Sequence, residues 1–309
     1  MAARRPRADL FASAGLVALV IHALRDIDPS LLPPDVSSPD PMKQATTSAA
    51  AKRDLLATAY DRGGAGPLLR VGQYLGAVRA TPVVHVLATA SEPGVFAEKW
   101  MRLERYHHAT NRTEVKVDGA ALVCARSGRD ASPTPAENAL IAGLIFGFCG
   151  LAGGERLVLD IDGRDHDAAS LGSVARLRDG GGAFRIRWER WRGTSPDLKA
   201  TDDDRDIRQS LSSLFQTDPG RGWRVTDAAP ILAKSVRGMQ RELAQAGTSF
   251  SSILRGARLD EAARLLRDAT APLAEIGYCC GYADQPHFQR DFRRVLNMTP
   301  REYRQVSVG

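Results

Sequence analysis

Apolar side chains recur every three or four residues along much of the chain, the spacing that places them on one face of a helix. In the stretch 81–108, Phe96, Trp100 and Leu103 follow this spacing, and Pro93 with Gly94 divides the stretch into two helices. Helices are predicted in this way at 10–27, 44–62, 81–108 and 136–151.

A second pattern predicts strands, because apolar and polar side chains alternate over short runs between turn residues. One such pair of runs turns at Asp118-Gly119 and predicts a β-hairpin. Mixed helices and strands predict an α+β domain, which we place at residues 1–195. The predicted strands lie in the hairpin at 113–126 and at 156–162 and 183–191.

The character of the chain changes after this domain. Residues 192–206 are polar and acidic with few apolar side chains, so we place a linker at 196–205. Residues 206–309 show helical spacing and turn signals but no strand pattern. A second, all-α domain is therefore predicted there.

The N-terminus combines arginines with the apolar run 10–24, a combination that resembles a secretory signal. Asp9 stands where it would cap a helix, and no cleavage site of small residues follows the run. The run is also short for a membrane span. We interpret it as a buried first helix and expect a cytoplasmic protein without a membrane partner.

Positive charge is concentrated near the C-terminus, where residues 205–309 carry a net charge of +5 and the rest of the chain +1. A localised excess of this kind is typical of proteins that bind a polyanion. The four cysteines have the spacing of neither a metal cluster nor a disulfide framework, which favours a reducing cytoplasm. No metal ion or cofactor is predicted.

A short segment near the C-terminus combines a turn, a helix cap and an amphipathic helix. Gly281 supplies the turn after a short helix predicted at 272–280, and Asp284 caps the next helix. Phe288 and Phe292 are four residues apart and predict the buried face of that helix. A helix, a tight turn and a second helix are the parts of a helix-turn-helix motif.

A similar arrangement stands earlier in the chain. Residues 226–247 predict a short helix, a turn and a second helix capped by Ser235, with Met239 and Leu243 buried. Residues 250–269 predict a long helix between the two motifs. Such a helix extends roughly 27 Å, comparable with the ~34 Å between successive major-groove faces of a duplex. Two recognition helices on this spacer can enter adjacent grooves.

The segment 226–305 resembles the DNA-binding domain of AraC/XylS-type transcription regulators. The resemblance implies an α+β N-terminal sensor domain followed by an all-α domain, at 206–309, with two helix-turn-helix motifs joined by a long helix. It implies a sequence-specific transcription regulator, either an activator or a repressor and not an enzyme, whose partners are double-stranded promoter DNA and RNA polymerase. The resemblance rests on Ser235, Gln240, Arg241, Leu243, Gly247, Arg258, Leu259, Ala262, Leu266, Ile276, Gly281, Tyr282, Asp284, Gln285, Phe288, Arg290, Phe292, Pro300, Tyr303 and Arg304.

By this resemblance, the second helix of each motif lies in the major groove. Arginine suits guanine and glutamine suits adenine, so the residue types fit base recognition. Arg293 and Arg294 lie further along the helix and suit phosphate groups. The residues expected to face bases are Arg237, Gln240 and Arg241 in the first motif and Gln285, His287 and Arg290 in the second.

Several residues depart from the family pattern. Ala233 and Asn297 stand where glycine is usual, and Gly277 stands where alanine is usual. Pro230 is expected to interrupt the first helix of the first motif, so that motif departs further than the second. Arg258 lies within the apolar arc of the long helix, and we expect it to pack its stem and pair its head rather than contact DNA.

The N-terminal region resembles more loosely the effector-binding domain of the arabinose-binding-domain-like subgroup of these regulators. The stretches that carry this resemblance are 15–32, 68–75 and 100–108. It implies an α+β sensor, rather than a sugar-binding β-barrel, for an unknown small-molecule effector. It also implies that this domain forms a homodimer.

Two alternatives stay open from the sequence. An enzyme of the amidotransferase or repair type, fused to a DNA-binding tail, needs a reactive thiol, and neither Cys124 nor Cys149 has a predicted base nearby. A non-specific nucleic-acid-binding protein would use the same arginines without distinguishing bases. His107, His108 and the acidic stretch 162–169 are expected to be ordinary polar segments and not metal ligands.

Overall fold

The computed structural model describes residues 11–40, 46–78, 81–106, 111–129, 131–193, 206–268 and 271–307. The chain divides into two compact units. The first comprises Met1–Arg79 and Ala109–Trp191, and the second comprises Ala80–His108 and Arg192–Gly309. The predicted linker 196–205, the predicted cap Asp9 and the pair His107-His108 lie outside the described residues.

The described residues form α-helices and short strands, which are numbered here in chain order. The helices are α1 (Ala14–Ile27), α2 (Ala49–Gly63), α3 (Gly66–Arg70), α4 (Pro82–Ala88), α5 (Pro93–Tyr106), α6 (Pro135–Leu151), α7 (Ile207–Thr217), α8 (Val225–Ile231), α9 (Val236–Gln245), α10 (Phe250–Asp268), α11 (Leu273–Cys279), α12 (Gln285–Leu296) and α13 (Pro300–Ser307). The strands are β1 (Phe11–Ser13), β2 (Thr46–Ser48), β3 (Asn111–Asp118), β4 (Ala121–Gly128), β5 (Gly154–Glu155), β6 (Val158–Ile161), β7 (Arg164–His166), β8 (Ala183–Arg187) and β9 (Arg190–Trp191).

The first unit contains a five-stranded antiparallel sheet with the strand order β3-β4-β8-β6-β7. Its first hairpin closes with Asp118 opposite Ala121, and Gly119 adopts the left-handed φ of 57° that the turn needs. The hairpin prediction is thus confirmed. The strand predicted at 183–191 is two strands, since β8 joins the large sheet and β9 pairs with β5.

Helices α1 and α6 are the two strongly apolar helices of the first unit, and both are largely buried. Helix α1 begins later than predicted, because Ser13 is its cap and accepts a hydrogen bond from the Leu16 amide at 3.4 Å. Helix α6 begins with a capping box made by Thr134 and Glu137 and is buried along most of its length. The first unit therefore has the α+β composition that the sequence predicts.

The second unit is all-helical in its described part. It contains α7 to α13 and also α4 and α5, which the sequence prediction places inside the N-terminal domain 1–195. The physical reason is burial, because apolar side chains of α4 and α5 pack in the same cluster as those of α11 and α12. These side chains are Val83 and Val86 of α4 and Leu103 and Tyr106 of α5. None of the described helices is long and apolar enough to span a membrane.

Helix α10 contributes to two separate cores in this unit. Its first half places Leu254 and Ala257 in a cluster with residues of α7, α8 and α9. Its second half places Ala262 and Leu266 in the cluster that includes α11 and α12. The long helix thus joins two helical groups, each with its own apolar centre.

Candidate nucleic-acid interface

The turn between α8 and α9 contains the strained residue Ala233, which has a left-handed φ of 52°. Its amide and that of Lys234 donate to the carbonyl oxygens of Pro230 (3.1 Å) and Ala229 (2.9 Å), which satisfies the end of α8. Pro230 lies inside α8, one residue before its end, so the expected interruption by this proline is wrong. The backbone takes the course that a glycine would favour, although alanine stands there.

Helix α9 presents one buried and one exposed face. Ser235 caps it by accepting a hydrogen bond from the Gly238 amide at 3.0 Å. Met239 and Leu243 are buried in the core. The opposite face carries exposed side chains at positions separated by three or four residues, which places them in one stripe. That stripe contains Arg237, Gln240, Arg241 and Ala244.

The turn between α11 and α12 follows the prediction. Gly281 has a left-handed φ of 80°, and the amides of Gly281 and Tyr282 donate to the carbonyl oxygens of Tyr278 and Gly277 at 2.9 and 3.1 Å. Asp284 caps α12 by accepting from the His287 amide at 2.7 Å. The cap and the glycine turn are both confirmed.

Helix α12 also separates a buried face from a charged one. Phe288 and Phe292 are fully buried, as predicted, and Asn297 ends the helix with a left-handed φ of 55°. Gln285 is half-buried at the first turn. The exposed predicted residues of this helix are His287, Arg290, Arg293 and Arg294.

The carboxylate of Asp291 contacts two of these exposed side chains, Arg294 and His287, but not the others. Its carboxylate lies 3.0 Å from Arg294 and 3.4 Å from Arg255 of α10. The imidazole of His287 lies 3.6 Å from the same carboxylate and packs edge-on against the Tyr282 ring. Charge on Arg294 is therefore partly neutralised by its own helix.

Arg290 and Arg293, unlike Arg294, have no ion-pair contact with Asp291. Within the described part of the chain, neither guanidinium forms an ion pair with a carboxylate, and the same holds for Arg237 and Arg241 of α9. Unpaired surface guanidinium groups keep all five N–H donors available for an external partner. Gln289, to which the sequence analysis assigned no role, is exposed beside Arg290 with its amide free of any described partner. Its place next to Arg290 on the same charged helix is the sequence feature that could have identified Gln289.

Arg258 of α10 is held by backbone carbonyl groups and by an aromatic ring. Its guanidinium donates to the carbonyl oxygens of Pro219 (3.3 Å) and Arg221 (3.1 Å) and lies over the Tyr282 ring. Burial lowers the pKa of its guanidinium. The predicted structural role of Arg258 is confirmed.

Other candidate chemistry has ordinary structural surroundings. All four cysteines are buried and none forms a disulfide bond, and burial raises the pKa of the Cys149 thiol well above its usual range. In the acidic stretch 162–169, Asp165 forms an ion pair with Arg187, and Asp167 accepts from the Ser170 amide at 2.8 Å. No group of three or more potential metal ligands converges within the described residues.

Comparison with known proteins concerns the same C-terminal helices. Residues 228–306 match a protein family described as a helix-turn-helix domain. This segment is an AraC-type helix-turn-helix domain. The AraC-type domain includes α9, α12 and the long helix α10 between them.

Relatives of the AraC-type domain are transcription regulators. One is the HTH-type transcriptional activator RhaS of Escherichia coli, 40% identical over 76 residues that cover 24% of this chain and 27% of that protein. Another is the TCP pilus virulence regulatory protein of Vibrio cholerae, 27% identical over 107 residues that cover 35% of this chain and 39% of that protein. The chain thus spans well under half the length of the curated relatives it matches.

One solved structure also matches part of the chain. The transcriptional regulator of Chromobacterium violaceum with an AraC-type DNA-binding domain is 30% identical, covering 32% of this chain and 89% of that chain with a TM-score of 0.31.

Proposed function

We propose that the protein is a sequence-specific DNA-binding transcription regulator in which α8–α9 and α11–α12 act as two helix-turn-helix motifs. The observation that carries this proposal is the pair of exposed polar stripes on α9 and α12, each opposite a buried apolar face. Helix α10 spans roughly 28 Å at 1.5 Å per residue. That length suits two recognition helices in successive major grooves of one duplex face.

The side chains fall into groups with different roles in this proposal. Arg237, Gln240 and Arg241 of the first motif face bases, and the corresponding residues of the second are Gln285, His287 and Arg290. Arg293 contacts phosphate with an unpaired guanidinium, and Arg294 does so by exchanging its contact with Asp291 for a phosphate oxygen. Within the second motif Arg290 is the best candidate for a direct base contact, since it is exposed and no carboxylate of the described chain binds it, whereas His287 contacts Asp291 and Gln285 is half-buried.

The proposal extends to partners and location. We infer double-stranded promoter DNA and RNA polymerase as the partners, because RhaS is named a transcriptional activator. A regulator with these two partners acts in the cytoplasm, where both are found. The AraC-type domain supports a regulator and no catalytic role.

We also infer that the first unit binds a small-molecule effector and forms a homodimer. An open groove of about 400 Å³ lies on its sheet, between β4, β8 and β6. Carboxylates of Asp160, Asp162 and Asp179, the guanidinium of Arg185 and the apolar side chains Val123 and Phe184 line it. A lining with both charges and apolar side chains suits a small polar molecule that donates and accepts hydrogen bonds.

The DNA-binding proposal is tested first with a random oligonucleotide pool. Full-length protein selects bound duplexes, the selected site is footprinted, and the Kd is measured for single-base variants of that site. Arg290→Ala should cost ~1–3 kcal/mol on the selected site and reduce discrimination at one base position. Arg301→Ala removes one exposed charge from α13 and should weaken all duplexes alike.

Three outcomes would contradict the proposal. A pool that yields no preferred site would favour the non-specific nucleic-acid-binding protein. Equal effects of Arg290→Ala on every duplex would remove the base contact. A rapidly reacting, acidic thiol at Cys124 or Cys149 would favour the alternative of an enzyme fused to a DNA-binding tail.

The effector proposal has its own test. A library of small molecules is screened by the melting temperature of the full-length protein, and each positive is repeated with Ala183→Trp, which fills the groove beside Phe184. A ligand that stabilises the wild type and not Ala183→Trp, and that changes the Kd for DNA or the dimer fraction in sedimentation, would support the proposal. Ligands unaffected by Ala183→Trp would place the effector elsewhere.

A further inference from the structure

Helix α5 contacts the second helix-turn-helix motif, α11–α12, at the position of a glycine. Gly277 lies in α11 and is buried. A Cβ atom at residue 277 would lie 2.3 Å from the hydroxyl oxygen of Tyr106 and 3.0 Å from the Phe288 ring. Gly277 therefore allows three helices to meet, since Tyr106 belongs to α5 and Phe288 belongs to α12.

This contact is part of a continuous apolar cluster. Tyr106, Tyr278 and Phe288 belong to one buried group, and the rings of Tyr106 and Tyr278 lie 6.1 Å apart. Closely packed side chains transmit displacements, because a core has little free volume to absorb them. A shift of α5 would thus reach Phe288 and the helix that carries it.

Polar contacts fix α5 along the same surface. Lys99 is fully buried, and its ammonium group lies 2.7 Å from the Asp218 carboxylate. Arg102 donates to the carbonyl oxygen of Gly220 and lies 5.2 Å from the centre of the Tyr278 ring. The Tyr278 hydroxyl in turn donates to the carbonyl oxygen of Lys99 at 3.1 Å. These bonds hold α5 against α11 and the loop at 218–221.

The connectivity gives the contact its significance. Helices α4 and α5 come from the N-terminal half of the sequence, and the chain continues from Tyr106 to strand β3 of the first unit, which begins at Asn111. The AraC-type domain at 228–306 does not contain them. Its second motif nevertheless packs on a helix encoded more than a hundred residues earlier.

We propose that α5 positions the second recognition helix, and that Tyr106, acting through Gly277 and Phe288, is the positioning residue. The proposal rests on the function proposed above for α12. In this proposal α5 aligns the contact that α12 makes with one half of the DNA site. The first motif has a separate core and depends less on α5. Tyr106 does not touch DNA in this scheme.

The test is a cycle of variants in the full-length protein. Gly277→Ala introduces the Cβ that meets Tyr106, Tyr106→Phe removes the hydroxyl, and the double variant combines both changes. Gly256→Ala is the matched control, because a Cβ at this exposed position of α10 meets no atom within 4 Å. Each variant is assayed by melting temperature and by footprinting on the selected duplex.

We expect Gly277→Ala to lower the melting temperature and to weaken binding to the selected duplex by roughly tenfold or more, the scale of losing one side chain–base pair. Protection should be lost on the half that α12 contacts and kept on the other half. The double variant should recover part of both losses, because it removes the Tyr106 hydroxyl oxygen, the atom nearest the new Cβ, while the close Phe288 ring remains. Gly256→Ala should leave the footprint intact.

Other results would overturn the positioning role. Equal loss of both halves in Gly277→Ala, or a double variant no better than Gly277→Ala, would show that Tyr106 does not align α12. A wild-type protein without a footprint would instead refute the proposed function. In that case the melting temperatures of the cycle would still decide whether Tyr106 and Gly277 interact.

Discussion

Replacing Lys99 with methionine should destabilise the second unit by about 3 kcal/mol. Methionine keeps most of the length and apolar stem of lysine, so the change removes the ammonium group with little loss of packing. In the wild type this group lies 2.7 Å from the Asp218 carboxylate and 2.9 Å from the carbonyl oxygen of Val86. The variant leaves both acceptors without their partner.

The magnitude follows from the burial of the pair. Removing one partner of a buried ion pair costs about 3–5 kcal/mol, because the remaining charge is neither hydrated nor paired. Lys99 is 0% exposed and Asp218 is 9% exposed, so some hydration of the carboxylate favours the lower end of this range. A loss of about 3 kcal/mol corresponds to a decrease in Tm of roughly 6–12 °C.

Denaturant titration followed by tryptophan fluorescence measures this change. The Trp223 indole donates to the carbonyl oxygen of Asp218 at 2.9 Å, so it reports on the same loop. Lys116→Met is the control, since Lys116 pairs with Glu114 on the surface, where an ion pair contributes about 0–1 kcal/mol.

A second variant separates charge from packing. Lys99→Met combined with Asp218→Leu removes both charges and should recover much of the stability, because buried pairs can be replaced by apolar residues at little cost. A Lys99→Met variant as stable as Lys116→Met would refute the importance of the pair. So would a double variant that is less stable than Lys99→Met alone.

Three further predictions concern backbone strain and buried thiols. Ala233→Gly should stabilise the protein by ~0.5–1 kcal/mol in urea, because the left-handed φ strains alanine and the freedom of glycine in the unfolded chain offsets part of the gain; a less stable variant would contradict this. Gly281→Ala should destabilise by ~1–2 kcal/mol or more, since its φ of 80° is equally unfavourable for alanine; an unchanged urea midpoint would be the contrary result. Burial raises the pKa of Cys149, Cys279 and Cys280 above the unfolded value of ~8.5. As pH rises, these thiols therefore lose their protons in the unfolded state before they do so in the folded state. The stability that they contribute is complete below the unfolded pKa and should decrease as pH rises above it. Urea midpoints between pH 7 and 10 measure the slope, which should be shallower in a Cys279→Ala/Cys280→Ala variant; equal slopes in the two proteins would contradict the linkage.

The local elements of the AraC-type domain were predictable because their signals lie within a few residues of each other. Ser235 and Asp284 cap the helices that follow them, and Gly281 takes the left-handed turn that its missing side chain allows. Phe288 and Phe292 are buried because residues four apart share a helix face. Each of these outcomes depends on the chain immediately around the residue.

Three errors in the sequence predictions have a common cause. The first helix was expected to begin at residue 10, but it begins at Ala14 and Ser13 caps it. Pro230 was expected to interrupt α8, but it lies in the last turn of that helix. The strand predicted at 183–191 is divided between β8 and β9. Element boundaries are weakly specified locally, because neighbouring residues satisfy cap and strand preferences almost equally well.

By itself, the sequence predicted most of the helices but not α3, and it predicted which faces of α9 and α12 are buried and which residue types those helices expose. Only the tertiary structure decided that α4 and α5 pack with the C-terminal helices, because an apolar face specifies burial and not the partner that provides it. It also decided that Arg294 binds Asp291 while Arg290 has no described carboxylate partner. Contacts of this kind depend on side chains brought together from separate elements, such as Arg255 of α10 and the buried pair of Lys99 and Asp218.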